Sequence, residues 1–91
     1  MEVIYALDFS PKALKDVQFY KKLGDKGVIR KIDTLLAELE QHPLTGTGRP
    51  EALRYELCGF ISRRINSEHR LVYRVNERDK IVEVISMKGH Y

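Results

Sequence analysis

The spacing of apolar positions along this chain changes near its middle, and the change separates two kinds of structure. Val3-Ile4-Tyr5-Ala6-Leu7 is an unbroken apolar run of strand length, and a strand of that kind is expected to be buried on both faces. Asp8-Phe9-Ser10-Pro11 then reads as a helix start, with Ser10 as N-cap and Pro11 in the first turn. That helix runs to about Leu23 and sets Ala13, Val17 and Tyr20 on one stripe. Gly24-Asp25-Lys26-Gly27 marks a turn. A second helix follows, in which Val28, Ile32, Leu35, Leu36 and Leu39 recur at helical spacing while the remaining positions are charged or polar. The two helices are expected to form a hairpin over one side of a sheet.

His42-Pro43 ends the second helix, because the residue before a proline is pushed out of helical space. From Leu53 onward the period shortens to that of strands. The segments are Leu53–Leu57, Ile61–Ile65, His69–Asn76 and Lys80–Met87, joined by connections short enough for an antiparallel meander. One strand, two helices and four strands make an α+β domain, with both helices on one face and the other face open. On the third and fourth strands, alternation sends Ile61, Ile65, Leu71, Tyr73 and Val75 to the core. Ser62, Arg64, Arg70, Val72 and Arg74 go to the opposite face. With Asn66-Ser67-Glu68 as a three-residue loop, Ile65 pairs with His69 and Arg64 stands across from Arg70.

At 91 residues the chain has room for one domain, residues 1–91, which buries about 60–65% of its unfolded surface. Its 43% hydrophobic content excludes a disordered chain. No run approaches a membrane span, and Met1-Glu2-Val3 lacks the basic and apolar regions of a secretory leader. The single Cys58 cannot form an internal disulfide, which fits a cytoplasmic location, and it reads as a small core residue. Net charge is +3, but its distribution is uneven. Residues 1–41 are neutral, with six Lys and one Arg among their bases; residues 42–91 carry the whole excess, with seven Arg and two Lys. Arginine binds phosphate oxygens two at a time, so the second half is suited to an anion.

Several residues there carry candidate chemistry. Like charges directly across a ladder are destabilising, so Arg64 opposite Arg70 either serves anion binding or splays into water. Glu51, after Pro50, is either an ordinary loop carboxylate or a base. The loop Thr45-Gly46-Thr47-Gly48-Arg49-Pro50 lacks the lysine and Ser/Thr of a phosphate-binding P-loop. His42 and His69 read as structural or capping residues. No two of the three histidines share the short spacing of zinc ligands, so no metal is expected. Tyr5, Tyr20, Tyr55 and Tyr73 read as core or strand-face residues. His90 is an ionisable group at the last-but-one position, where chains are usually frayed, and Tyr91 beside it could stack on a base. A glutamate to take a proton, a histidine to give one and arginines to hold a phosphate together meet the needs of RNA cleavage through the ribose hydroxyl.

Gly46-Thr47-Gly48-Arg49-Pro50-Glu51, Leu57, Gly59, Ser62-Arg63-Arg64-Ile65, Glu68-His69-Arg70-Leu71-Val72-Tyr73 and the closing His90-Tyr91 together closely resemble the YoeB (Txe/YoeB) family of the RelE/ParE superfamily. The resemblance extends from about the second helix to the end of the chain, and the N-terminal elements match in pattern. It implies a RelE-like, microbial-RNase-like fold, with a two-helix hairpin on one face of a five-stranded, mainly antiparallel sheet. It also implies a toxin of a type II toxin–antitoxin module, acting as a ribosome-dependent mRNA endonuclease without metal or cofactor. The implied partners are a YefM-like antitoxin whose C-terminal segment covers the site, the ribosome and mRNA, operator DNA through the antitoxin complex, and a second copy of the chain.

Residue by residue, the resemblance makes Glu51 the base, His90 the acid and Arg70 the phosphate-binding arginine. Arg64 and Tyr91 become site residues, and Leu53-Arg54 a site-lining pair in which arginine replaces the family's lysine. Arg49 joins them as an RNA-binding residue. The chain departs from the family at Ser86-Met87-Lys88-Gly89, where a bulkier Cys-Arg-Tyr-type run is usual. A ParE-like gyrase inhibitor is the alternative on the same fold, but it has no use for an acid–base pair.

Overall fold

The computed structural model describes residues 4–44, 51–52 and 59–89, with the backbone alone at 51–52. The elements are β1 (Ala6–Phe9), α1 (Pro11–Leu23), α2 (Lys26–Gln41), β2 (Glu51–Ala52), β3 (Ile61–Arg64), β4 (Arg70–Asn76) and β5 (Ile81–Ser86). The five strands form one sheet in the order β1-β5-β4-β3-β2. β1 lies parallel to β5, and the other pairs are antiparallel.

Both helices begin where the side chains can cap them. Ser10 Oγ accepts from the Ala13 amide at 3.0 Å, with Pro11 in the first turn. Asp25 Oδ1 accepts from the Val28 amide at 3.1 Å. Gly24, in the left-handed region at φ 72°, closes α1 by donating to Tyr20 and Lys21 carbonyls, a conformation glycine adopts without strain. The expected four-residue turn is therefore only Gly24-Asp25, because Asp25 caps α2 and draws Lys26 and Gly27 into its first turn.

The helical stripes meet the sheet in one core. Ala13 and Tyr20 of α1, and Val28, Ile32, Leu35 and Leu39 of α2, are buried with Leu71, Tyr73, Val82 and Val84. Val17 and Leu36 pack at its margin. Leu71 and Tyr73 lie inward, as alternation requires, and the β3–β4 register is Ile61↔Tyr73, Ser62↔Val72, Arg63↔Leu71 and Arg64↔Arg70. The Ile65 amide donates to the His69 carbonyl at 3.0 Å, which closes the expected loop. Between Tyr73↔Val84 and Val72↔Ser86 the register slips by one residue, so β5 carries a bulge at Ile85.

Two expectations need correction, and a third falls on residues that are not described. β1 begins at Ala6, not Val3, and is not buried on both faces: Ile4 is 63% exposed, and Ala6 and Asp8 also face water. Among the described residues it is an edge strand paired only with β5, and of its four residues Leu7 and Phe9 reach the core. The strand expected at Leu53–Leu57 lies outside the described residues, and the strand paired with β3 is Glu51–Ala52. The face opposite the helices is not bare. Ser62, Val72 and Arg70 are buried there, because the Arg70 guanidinium lies across the ladder on Ser62.

Candidate functional site

Alternation along β3 and β4 sorts the Ser-Arg-Arg run by direction. Ser62 and Arg64 face away from the helices; Arg63 faces into the core. The register then sets Ser62 beside Val72 and Arg64 beside Arg70, and in the next strand Glu51 takes the position opposite Ser62. Three neighbouring strands thus bring residues 51, 62, 64 and 70 into adjacent register positions.

The two arginines differ in character. Arg64 is exposed, as expected. Arg70 is only 9% exposed, contrary to the expectation of a solvated side chain, and its guanidinium donates to Ser62 Oγ at 3.0 Å. A guanidinium held by a neighbour is already oriented, whereas a free one must lose rotamer freedom to meet an anion. Further along this face, Arg74 pairs with Glu83, its partner in register, and lies 5.5 Å over the Phe60 ring. Its charge is thereby offset.

Residues 86–89 are held firmly. The Met87 amide donates to Asp16 Oδ2 at 2.9 Å, and Tyr20 Oη donates to the Met87 carbonyl at 2.8 Å. Lys12 Nζ reaches Asp16 at 2.8 Å, Ser86 Oγ at 3.2 Å and the Lys88 carbonyl at 3.2 Å. Burial pushes the Tyr20 hydroxyl up to about 12, with help from the nearby Asp16, Asp25 and Glu68 carboxylates. Gly89 is fixed at the other end of this segment. Its amide donates to His69 Nδ1 at 3.2 Å, and its carbonyl accepts from the Arg70 amide at 3.0 Å. The Tyr20 ring meets His69 edge-on, with centroids 5.6 Å apart.

Arg49, Leu53, Arg54, His90 and Tyr91 lie outside the described residues, and Glu51 is placed by its backbone alone. Two residues that organise the surroundings carried a signal that the sequence reading passed over. Arg63 shares the alternation of Ile61 and Ile65, which already points it inward. It is fully buried, its Nε donates to Tyr73 Oη at 3.0 Å and its guanidinium to the His42 carbonyl. Tyr73 Oη in turn donates to the Pro43 carbonyl, so the pair ties the end of α2 to the sheet. Asp16 lies on the buried side of α1 between Ala13 and Tyr20. A carboxylate there calls for a donor, and the Met87 amide supplies it.

Comparison with known proteins bears on the family and the fold. A family model for the YoeB-like toxin of bacterial type II toxin–antitoxin systems matches residues 9–91. Toxin YoeB of Mycobacterium bovis is 38% identical over 86 residues, covering 94% of this chain and 98% of that protein. The solved YoeB/ParE toxin from Agrobacterium tumefaciens superposes with a TM-score of 0.88 at 35% identity, over 94% of this chain and 99% of that one. The toxin in the YoeB–YefM complex from Staphylococcus aureus superposes with a TM-score of 0.82 at 39% identity, over 96% and 98%. With the Ser-Arg-Arg register, the helix hairpin and the mixed five-stranded sheet all in place, the chain belongs to the YoeB family of toxins of bacterial type II toxin–antitoxin systems.

Proposed function

We propose that this toxin is a ribosome-dependent endoribonuclease that cuts messenger RNA by attack of a ribose 2′-hydroxyl on the adjacent phosphorus. The observation that carries this reading is the convergence on one sheet face of the Glu51 register position, the exposed Arg64 and the held Arg70. Glu51 takes the proton of the 2′-hydroxyl. Arg70, assisted by Arg64, stabilises the charge that grows on the phosphoryl oxygens. His90 protonates the departing 5′-oxygen, and Tyr91 stacks on a base. Arg49 and the Leu53-Arg54 pair line the RNA path. The products are a 2′,3′-cyclic phosphate (or 3′-phosphate) and a 5′-hydroxyl.

Arginine supplies the charge neutralisation, so the reaction needs no metal or cofactor. Residues 1–91 act as a single toxin domain in the cytoplasm. The solved Staphylococcus relative is bound to YefM. By analogy this chain is silenced by a YefM-like antitoxin whose acidic and apolar segment covers Arg64, Arg70 and His90, and it meets operator DNA only through that complex. Among the described residues no helix is long and apolar enough to cross a membrane.

The test is translation with purified ribosomes and mapping of the message ends. Cyclic-phosphate and 5′-hydroxyl ends are expected, and 3′-hydroxyl with 5′-phosphate ends would sink the mechanism. Chelation is a poor substitute, because ribosomes themselves need Mg²⁺. Replacing His90 by Gln should lower cleavage by about 10²–10⁴-fold, the usual loss for a general acid. Glu51→Gln should be milder where water or the ribosome supplies a base. If His90→Gln cuts at the wild-type rate, the acid is elsewhere; if neither wild type nor variant cuts, a ParE-like inhibitor of gyrase becomes the better reading.

A further inference from the structure

We propose that His69 is a positioning residue for this reaction: its Nδ1 lone pair holds Gly89 and so fixes where the chain leaves toward His90. The inference rests on the reading of His90 as the general acid. Its basis is a pair of hydrogen bonds joining two segments far apart in sequence. The Gly89 amide donates to His69 Nδ1 at 3.2 Å, and the Arg70 amide donates to the Gly89 carbonyl at 3.0 Å. The dipeptide carrying Arg70 is thus bound through both ends of Gly89 to the residue that carries His90. Acid and phosphate-binding arginine are referenced to each other through one glycine.

The ring of His69 is itself held. Accepting at Nδ1 requires a neutral ring with its proton on Nε2, which lies 3.7 Å from a Glu68 carboxylate oxygen. The Tyr20 ring packs against it edge-on, and Tyr20 Oη is anchored on the Met87 carbonyl at 2.8 Å. The amide of that same residue, Met87, donates to Asp16 Oδ2. Met87 and Gly89 are therefore secured in turn, the first by α1 and the second by the start of β4. Gly89 has φ 116°, in the left-handed region, while a Cβ built there would meet nothing within 4 Å. Its requirement is conformational: a side chain would strain the backbone that carries the two bonds. The step from Gly89 to the acid is given a fixed origin, and geometry of this kind can cost about 10²-fold in rate when lost.

The two amide analogues of histidine separate this role from simple packing. Asparagine carries its carbonyl oxygen at the position of Nδ1, and glutamine carries its own one bond further, near Nε2. His69→Asn should therefore keep the acceptor for Gly89, and His69→Gln should lose it. With purified ribosomes, His69→Gln and His69→Ala are expected to lower kcat by about 10–100-fold with KM unchanged. His69→Asn should recover most of the rate. Amide hydrogen exchange at Gly89 should speed up in the Gln and Ala variants and stay slow in the Asn variant. Equal rates for Asn and Gln, beside an inactive His90→Gln control, overturn the positioning role and leave the acid assignment standing. Wild-type cleavage by His90→Gln removes the acid assignment, and with it the reason to position residue 90.

Discussion

Asp16 shows how much one buried carboxylate settles. It is 6% exposed, and its Oδ2 receives both the Met87 amide and the Lys12 ammonium. Asp16→Ala leaves a buried amide without an acceptor and should cost about 1–3 kcal/mol in urea unfolding. Asp16→Asn keeps an acceptor oxygen and should cost less; equal losses would mean that the charge, not the Met87 bond, is what matters. Tyr20 gives the same segment a pH limit. Its hydroxyl donates to Met87 and is pushed up to about 12, so the neutral form is favoured in the folded chain. The stability this contributes is fully present below about 10, the ordinary tyrosine value, and is lost as pH rises toward 12. Hydrogen bonding to Glu77 raises the Tyr5 hydroxyl and burial raises that of Tyr73 as well, so an alkaline titration followed by tyrosinate absorbance should show a late-ionising component reduced by one tyrosine in Tyr20→Phe. At this scale the sequence was legible wherever alternation decides: Arg64 lies opposite Arg70 as read. It was silent on Arg70's burial, because a hydrogen bond to Ser62 is a matter of three dimensions.

Among the elements, the helices could be read in advance because each boundary has a local cause: a capping side chain at the start, glycine at the end of α1 and a proline after α2. The stripe of α2 also predicts its energetics. Leu35 and Leu39 are fully buried, whereas Leu36 packs at the margin of the core. Leu39→Ala should therefore destabilise by about 2–5 kcal/mol, and Leu36→Ala by clearly less, as measured by thermal or urea unfolding. Comparable losses at the two positions would show that α2 does not present the side described. Strands were harder to bound, since pairing partners set their ends. The apolar run at Val3–Leu7 looked like a central strand, yet among the described residues β1 has a neighbour on one side only, and Ile4, Ala6 and Asp8 alternate outward to water. The bulge at Ile85 was equally hidden. It depends on how β5 must both pair with β4 and deliver Met87 to the core.

Over the whole molecule, the helices and the cationic face occupy opposite sides of one sheet, so stability and chemistry can be varied separately. Arg64 and Arg70 share a register pair but differ in how they are held, and that difference yields a sharp comparison. Arg70 is buried against Ser62 and shares its backbone amide with Gly89. Under the proposed reaction its guanidinium is oriented before RNA arrives, the condition under which a donor acts on transition-state charge rather than on binding. Arg70→Lys keeps the charge but loses the planar fork. It should lower kcat by about 10²–10³-fold, in the range seen on removing one preorganised oxyanion donor. Arg64 stands in water, where its pull on phosphate is screened. Arg64→Ala should act mainly on KM, and the slope of affinity against salt should flatten by about one phosphate contact. Single-turnover cleavage on purified ribosomes over a range of salt separates the two effects. Matching changes in kcat and salt slope for both variants would show that burial of Arg70 confers no catalytic distinction, and that the pair acts only as a patch of positive charge.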